Sequence, residues 1–525
     1  VKKAGKTELK DVMYALGEIF SGTCFSNTEF DYLNVLKSTI ETLSEKEKSQ
    51  LYQWFLDAYT GDNSITFNSF VYENYRDDFS LENLTKTITS AMSLNDFYEI
   101  YWNLSRRFFV RSDVPTKIFK PYADVVRGHF DKIVSMLKQS KIVVAPAYQK
   151  KSEIKTIAIL SPQILGMAHS PTREAFNLAC HLIKNHGCKV SIINCNSMNY
   201  NNYLGFYSPF VANRNTELTG HQSLTIDYLN FKDVEIEVFT LDETLMSVRK
   251  INNFMNYIDQ LQPDAVLAHG ENLLFQELLF QKIPSVFVTT GATVPIAHSD
   301  AYWIPGNLFS DAGEEYAHAW GHTDFMRESM IVTPADAADE PLERSRFGFS
   351  KDDFLFLVAG TRLASELDND FVEFCRELVA KCPHAKVVFA GSGDLDIRRT
   401  FGTLTNFERK FINVGMIQEF SAFCLMCDAF INPKRQGGGT SAQTAMMNHL
   451  PIVTMNFGHI SSTVPESYRL QDYAEMLNYS VKLYSDNDFL AQEKVFFYNH
   501  FISDLKTDQQ VAKIFKKLEE IHRRY

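Results

Sequence analysis

No stretch of this chain stays apolar for the roughly 20 residues that a bilayer-spanning helix needs; the longest apolar runs are strand-sized. We therefore expect no membrane span. The opening, VKKAGKTELKDVMYALGEIF, lacks the apolar block and cleavage site of a secretory signal. Its first residue is not Met, so we expect further chain upstream. A basic block is missing too. Lys and Arg total 52 against 64 Asp and Glu, a net charge of -12. Nucleic-acid phosphates need clustered cations, so nucleic acid is not an expected partner. Cysteine is sparse, with eight scattered residues. Cys424 and Cys427 form a CxxC within SAFCLMCDAF, but no second pair or nearby His completes a zinc site. That segment reads as an apolar helix with two core cysteines. Reduced thiols fit a cytoplasmic location, with a peripheral seat at the inner face of the membrane as the alternative.

Familiar nucleotide and metal motifs are absent as well. No GxxxxGK[ST] or GxGxxG occurs, and the His318, His322 pair in AHAWGH has helix spacing without the Glu of HExxH. We expect no metal.

What is present is a change of pattern along the chain. Residues 1–150 read as an all-helical domain, with apolar residues three and four apart in DYLNVLKSTIETLSEKEKSQLYQWFLDAY and a capping pattern at Ser44 to Glu47. It carries no catalytic constellation and suits scaffolding or partner binding. Residues 151–340 then alternate strand and helix: TIAIL, REAFNLACHLIKNHG, KVSIINC, VEIEVFTL, DAVLAHG, PSVFVTTG. Short continuous apolar runs are the signature of parallel strands buried on both faces. A polar segment, TPADAADEPLERSRFGFSKDD, links this to a second run over 341–485, with FLFLVAG, AKVVFAGSG, FINVG, DAFINP and PIVTM as strands. Residues 486–525 read as helices; by analogy with other two-sheet enzymes, in which a terminal helix crosses back, we expect them to return to the first α/β domain. The expected architecture is two doubly wound parallel-sheet domains facing a cleft, preceded by an all-helical domain.

Chemistry concentrates in KRQGGGTSAQTAMMNH, which follows DAFINP and opens a helix. Gly437, Gly438 and Gly439 let backbone approach a ligand, and free N–H groups at a helix start favour an anion. Thr440 and Ser441 add hydroxyls, Gln436 opens the turn, and Lys434 and Arg435 add charge. A turn of this kind at the carboxyl end of a parallel strand binds phosphate in open α/β sheets. Arg362, after FLFLVAG, neutralises a pyrophosphate in the same reading. The turn at Gly391 faces the same cleft; its Asp394 and Asp396 read as a helix cap rather than a metal site. Three histidines, His169, His269 and His298, stand in strand-end loops of the first α/β domain. Of these, His169 and His298 are the candidate proton acceptors.

These residues have a family likeness. INPKRQGGGTSAQTAMMNHLPIVTM resembles the donor-binding segment of glycosyltransferase family 41, which holds the O-linked N-acetylglucosamine transferases and the bacterial adhesin-modifying N-glucosyltransferases. PSVFVTTGATVPIAHSDAYWIPGN and GMAHSPTR are similar to two further segments of that family, in the same order. The resemblance covers roughly residues 155–480. It implies a GT-B fold and transfer of a hexose from a UDP-sugar to a protein or glycan acceptor, inverting and metal-independent, with the UDP-sugar as co-substrate and no cofactor. It gives Thr440 and Ser441 phosphate contacts, Arg362 the pyrophosphate, and His169 the proton. The chain departs from it at the ribose. The family's ribose-binding Asp falls on Thr444, and the paired Glu of retaining family 4 enzymes fall on Gln436 and Thr444; Glu466 or Gln443 is the substitute. Two other readings stand beside this one: a sugar-nucleotide epimerase of the same fold, and a degenerate transferase acting as a partner or acceptor-binding subunit. The helical domain is the expected protein-partner surface.

Overall fold

The structure is a computed structural model that describes residues 9–20, 27–58, 64–88, 93–111, 116–140, 151–167, 169–198, 201–211, 224–242, 246–290, 295–305, 311–329, 331, 334, 337–393, 395–402 and 409–525. The elements described before the first strand are helices, from Leu9–Phe20 to Thr116–Ser140. Their starts are set locally. Ser64, Asp77 and Ser93 each accept an N–H of the first turn. Ser44 and Glu47 satisfy one another reciprocally, the Ser44 N–H donating to Glu47 Oε2 at 2.8 Å.

These helices do not form one detached body. The earlier ones enclose a small core around Leu16, Phe55, Phe67 and Phe70. The helices Leu94–Val110 and Thr116–Ser140 instead place Tyr98, Trp102 and Phe130 in one core with Phe254, Phe275 and Phe287 of the α/β region. The helical region is thus built onto one face of the first sheet.

That sheet has eight strands: β1 (Thr156–Ser161), β2 (Lys189–Asn194), β3 (Thr225–Phe231), β4 (Val234–Thr240), β5 (Ala265–Gly270), β6 (Ser285–Thr289), β7 (Ala301–Pro305) and β8 (Phe325–Glu328). Their order is β3-β4-β2-β1-β5-β6-β7-β8. All neighbours are parallel except β3, which pairs antiparallel with β4 through a hairpin at Lys232 and Asp233. Both turn residues have positive φ, 51° and 60°, as a two-residue hairpin demands. β3 was not expected from sequence.

The second sheet holds β9 (Phe354–Ala359), β10 (Ala385–Ala390), β11 (Phe411–Gly415), β12 (Ala429–Asn432), β13 (Ile452–Met455) and β14 (Arg469–Leu470), in the order β11-β10-β9-β12-β13-β14 and parallel throughout. Chain order reverses between β1 and β5 in the first sheet and between β9 and β12 in the second. Such switch points leave a crevice beyond the strands' carboxyl ends, where open α/β sheets bind ligands.

The polar linker docks on the second domain from Leu342 onward, whose N–H donates to Ala422 O at 3.1 Å. Arg344 pairs with Asp428 at 3.0 Å. At the far end, Phe497, Phe501 and Leu505 belong to the second domain's core. The following helix, Thr507–Arg524, sets Val511, Ile514, Leu518 and Ile521 into the first domain's core beside Ile157, Phe176 and Trp303. Among the described residues no helix is long and apolar enough to cross a membrane.

Candidate functional site

A cleft of about 680 Å³ opens where the two switch points face each other. Its second-domain wall is Gly360, Arg362, Arg435 and the turn Gly437 to Ser441. Gly437 and Gly438 have φ of 101° and 90°, which L side chains rarely adopt. A Cβ on Gly438 would collide with the side-chain oxygen of Asn432. Gly438 caps the helix Gly439–Met447 with no side-chain hydrogen bond, so the N–H groups of its first turn are left for a ligand.

The turn is held from behind. Arg435 is buried, its Nε donating to Asn432 Oδ1 at 3.0 Å and its Nη2 to Ala359 O at 2.6 Å. Its Nη1 pairs with Glu366 Oε2 at 2.8 Å, while the other oxygen of Glu366 takes Arg362 Nε at 2.8 Å. One carboxylate therefore serves two arginines. Arg435 is committed to the fold, whereas Arg362 is 44% exposed at its side chain and faces the cleft over Phe109.

The opposite wall comes from the loops after β1 and β5. His169 precedes the helix Ser170–His186, which Pro171 starts and Gly187 ends in the left-handed conformation. Ser170 Oγ lies 2.9 Å from Thr440 Oγ1, a direct contact across the cleft, and donates to Glu174 at 2.8 Å. His169 Nδ1 lies 3.0 Å from Thr172 Oγ1, which accepts the Leu165 N–H. Burial lowers the His169 pKa to about 4, helped by the charges of His269 and Arg173. At neutral pH this imidazole is uncharged.

Sequence reasoning placed three histidines at this cleft, and the structure brings two of them, His169 and His269. His298 does not line it. Its Nε2 donates to Trp320 O at 2.8 Å and its Nδ1 faces Glu277 Oε2 at 3.3 Å. Burial alone would lower its pKa; the bond and charge of Glu277 outweigh that and raise it. With both nitrogens facing acceptors, His298 has no lone pair for a substrate proton. Glu277 in turn pairs with Arg127 of the helical region, so the expectation of a catalytic His298 is corrected to a structural one.

The remaining expectations divide similarly. Lys434 lies over the Phe457 ring, off the cleft wall. Gly391 is behind the wall, abutting the backbone of Gly360. Thr444 is buried, its hydroxyl donating to Thr440 O at 3.0 Å, and Glu466 is exposed on a short 3-10 turn away from the cleft. Neither takes the place of a ribose carboxylate. Gln443 and Gln436 are buried, with amide atoms that have no hydrogen-bond partner among the described residues. Asp396 caps the helix Ile397–Phe401, accepting the N–H groups of Arg398 and Arg399; Asp394 lies outside the described residues. His318 and His322 turn to Glu314 and Pro295 O, and no metal-holding group occurs among the described residues. Cys424 and Cys427 are buried core thiols.

Arg106, Phe109, His459 and Glu271 line the cleft but escaped the sequence reading. Arg106 and Phe109 come from the helix Leu94–Val110, so the helical region forms one wall. His459 follows Gly458, whose lack of a Cβ lets its backbone pack on the Arg435 carbonyl. Burial lowers the His459 pKa to about 4, with Arg362 adding to it. Glu271, one residue past β5, is partly buried, and burial raises its pKa to about 7. A lone Glu after a strand reads in sequence as a solvated charge; only the wall of Trp102, Ser105 and Phe210 beside it reveals otherwise.

No family model matches this chain, and no curated protein does. Solved structures do. A mutant of Thermobaculum terrenum O-GlcNAc transferase superimposes with a TM-score of 0.56 at 11% identity, covering 100% of this chain and 98% of that one. The pneumococcal O-GlcNAc transferase GtfA, in complex with UDP and GlcNAc, gives 0.42 at 12% identity over 70% of this chain and 99% of its own. A Staphylococcus aureus TarM mutant in complex with fondaparinux, alpha-GlcNAc-glycerol and UDP gives 0.45 at 10% over 70% and 99%. The full-length match, together with the two switch-point sheets, makes this a GT-B fold with a helical N-terminal region.

Proposed function

We propose that the chain is a glycosyltransferase that moves a hexose from a UDP-sugar to a protein or glycan acceptor, with inversion and without a metal. The observation that carries this is the uncapped helix start at Gly438, facing Arg362 on its own domain and touching Ser170 across the cleft. The full-length likeness to a fold used by an O-GlcNAc transferase supports it.

In this reading the donor diphosphate lies on the N–H groups of Gly439, Thr440 and Ser441. Arg362 and the helix dipole stabilise charge as the leaving group departs. These groups supply positive charge from the chain itself. His169, uncharged at neutral pH, stands beside Ser170 on the wall opposite the glycine turn. With a pKa lowered to about 4 it is a weak proton acceptor at neutral pH, so in this reading it hydrogen-bonds substrate rather than removing a proton. Glu277, Arg127 and His298 hold the wall behind. Exposed Tyr14, Tyr32 and Val35 on the outer helices support a protein partner on the helical region. The buried thiols fit a cytoplasmic enzyme.

The test is calorimetry with UDP, followed by donor turnover with and without EDTA. Gly439→Asp puts negative charge at the helix start and is expected to abolish UDP binding. Unchanged affinity would sink the site assignment. A second reading, a degenerate transferase serving as a partner subunit, is favoured by one observation: no carboxylate stands at Thr444 or reaches in from Glu466. Absence of UDP binding at millimolar ligand would select it.

A further inference from the structure

We propose that Glu271 is the general base of this site, taking the proton of the acceptor hydroxyl. This assignment rests on the transferase reading above. The geometry points to it by position and by elimination. Glu271 follows β5, at the switch point of the first sheet, and lines the cleft opposite the glycine turn. Such loops carry the reactive groups of open α/β folds.

The other titratable groups on this wall have commitments. Glu174 accepts from Ser170 at 2.8 Å and faces His269 Nε2 at 3.5 Å. His169 spends Nδ1 on Thr172 and is pushed well below the neutral range. His459 belongs to the donor-side wall and is similarly low. Among the described residues no hydrogen bond or ion pair is found for the Glu271 carboxylate.

Its surroundings suit a proton acceptor. The phenols of Tyr101 and Tyr122 face it from the helical region, and burial pushes both far above neutral pH. They stay protonated and add no charge. Arg106 lies on the same wall over the Phe210 ring, and Arg173 and His269 line the cleft beside it. Burial holds the Glu271 carboxyl near 7, where a base is most effective at neutral pH.

The step balances simply. The acceptor oxygen bonds to the anomeric carbon as its proton passes to a Glu271 carboxylate oxygen. The bond from that carbon to the diphosphate oxygen breaks, and its electron pair leaves with UDP. With water as acceptor, the same step hydrolyses the donor.

The experiment follows UDP release from UDP-glucose and UDP-N-acetylglucosamine between pH 5 and 9, with UDP affinity measured in parallel. For the unaltered chain, kcat is expected to rise through about pH 7. Glu271→Gln should lower kcat at least about 100-fold and erase that limb, with UDP affinity unchanged within about twofold. Glu271→Asp should retain part of the rate and keep a limb. Retained UDP affinity in either variant reports a folded site. If Glu271→Gln keeps the rate and the limb while the parent turns over donor, this assignment is overturned and the transferase reading stands. If the parent neither binds UDP nor turns over donor, the transferase reading fails and the assignment with it.

Discussion

Replacing Glu271 by Gln should make the protein more stable in alkali while it disables the site. The cause is linkage. Burial raises this carboxyl from its ordinary 4.5 to about 7, so between those values the folded chain keeps a proton that the unfolded chain has released. Stability from this group is therefore complete below about 4.5 and falls as pH rises through 7. From those two values, about 1.4 kcal/mol has gone by pH 5.5 and about 2 kcal/mol more by pH 8.5. Gln has no proton to lose, so its advantage over Glu should grow by that second amount across the interval. For a domain of about 150–250 residues that is roughly 4–8 °C in Tm. Thermal melts of both proteins at pH 5.5 and 8.5 read it directly. The same substitution should lower turnover, the trade-off expected where a strained charge serves chemistry. A Tm difference that stays constant with pH would refute the argument, because it would mean the carboxyl titrates alike in both states.

Other expectations follow from the same contacts. Glu366→Gln leaves Arg435 buried without its counter-charge and should cost about 3–5 kcal/mol; urea melts showing under about 1 kcal/mol would contradict the anchoring role. Gly438→Ala forces a side chain into a positive-φ turn against Asn432, which should cost about 1–3 kcal/mol and weaken UDP binding in calorimetry. Arg362→Ala should weaken UDP affinity by about 1.5–3 kcal/mol, roughly 10- to 150-fold, as loss of a charge-assisted contact does. His298→Gln should lower stability but leave UDP affinity intact. Because the His298 pKa is raised, that loss should be greatest below the ordinary His value and shrink as pH rises through the folded one.

Much of the fold was legible because parallel strands are buried on both faces. TIAIL, DAVLAHG and FLFLVAG are nearly pure apolar runs, and the structure has β1, β5 and β9 there. β3 was missed for the opposite reason. Its residues alternate between partly covered and exposed, with Ile226 and Tyr228 facing solvent, and its turn is Lys-Asp rather than Asn-Gly. The glycine turn could be read because three adjacent glycines at a helix start have few explanations. His298 could not be sorted from His169, since both are polar residues in strand-end loops. What separates them is the company of Glu277 and the Trp320 carbonyl, which arrive from distant parts of the chain. Arg435 and Lys434 differ in the same way. Sequence sees two adjacent cations; the fold buries one against Glu366 and leaves the other over a ring.

The returning C-terminal helix has a mechanical consequence. The chain passes between the two α/β bodies once before Leu342, and again between Leu505 and Val511, where a π-helical turn, Phe501–Leu505, hands over to the last helix. Two straps joining the same pair of bodies behave as a door hinge does. They permit swinging about the line through both and resist twisting across it. The Ser170 to Thr440 contact across the cleft is then the latch of that door. Cutting the second strap, by removing residues 507–525, would leave the domains free to rotate and would bare an apolar stripe on the first.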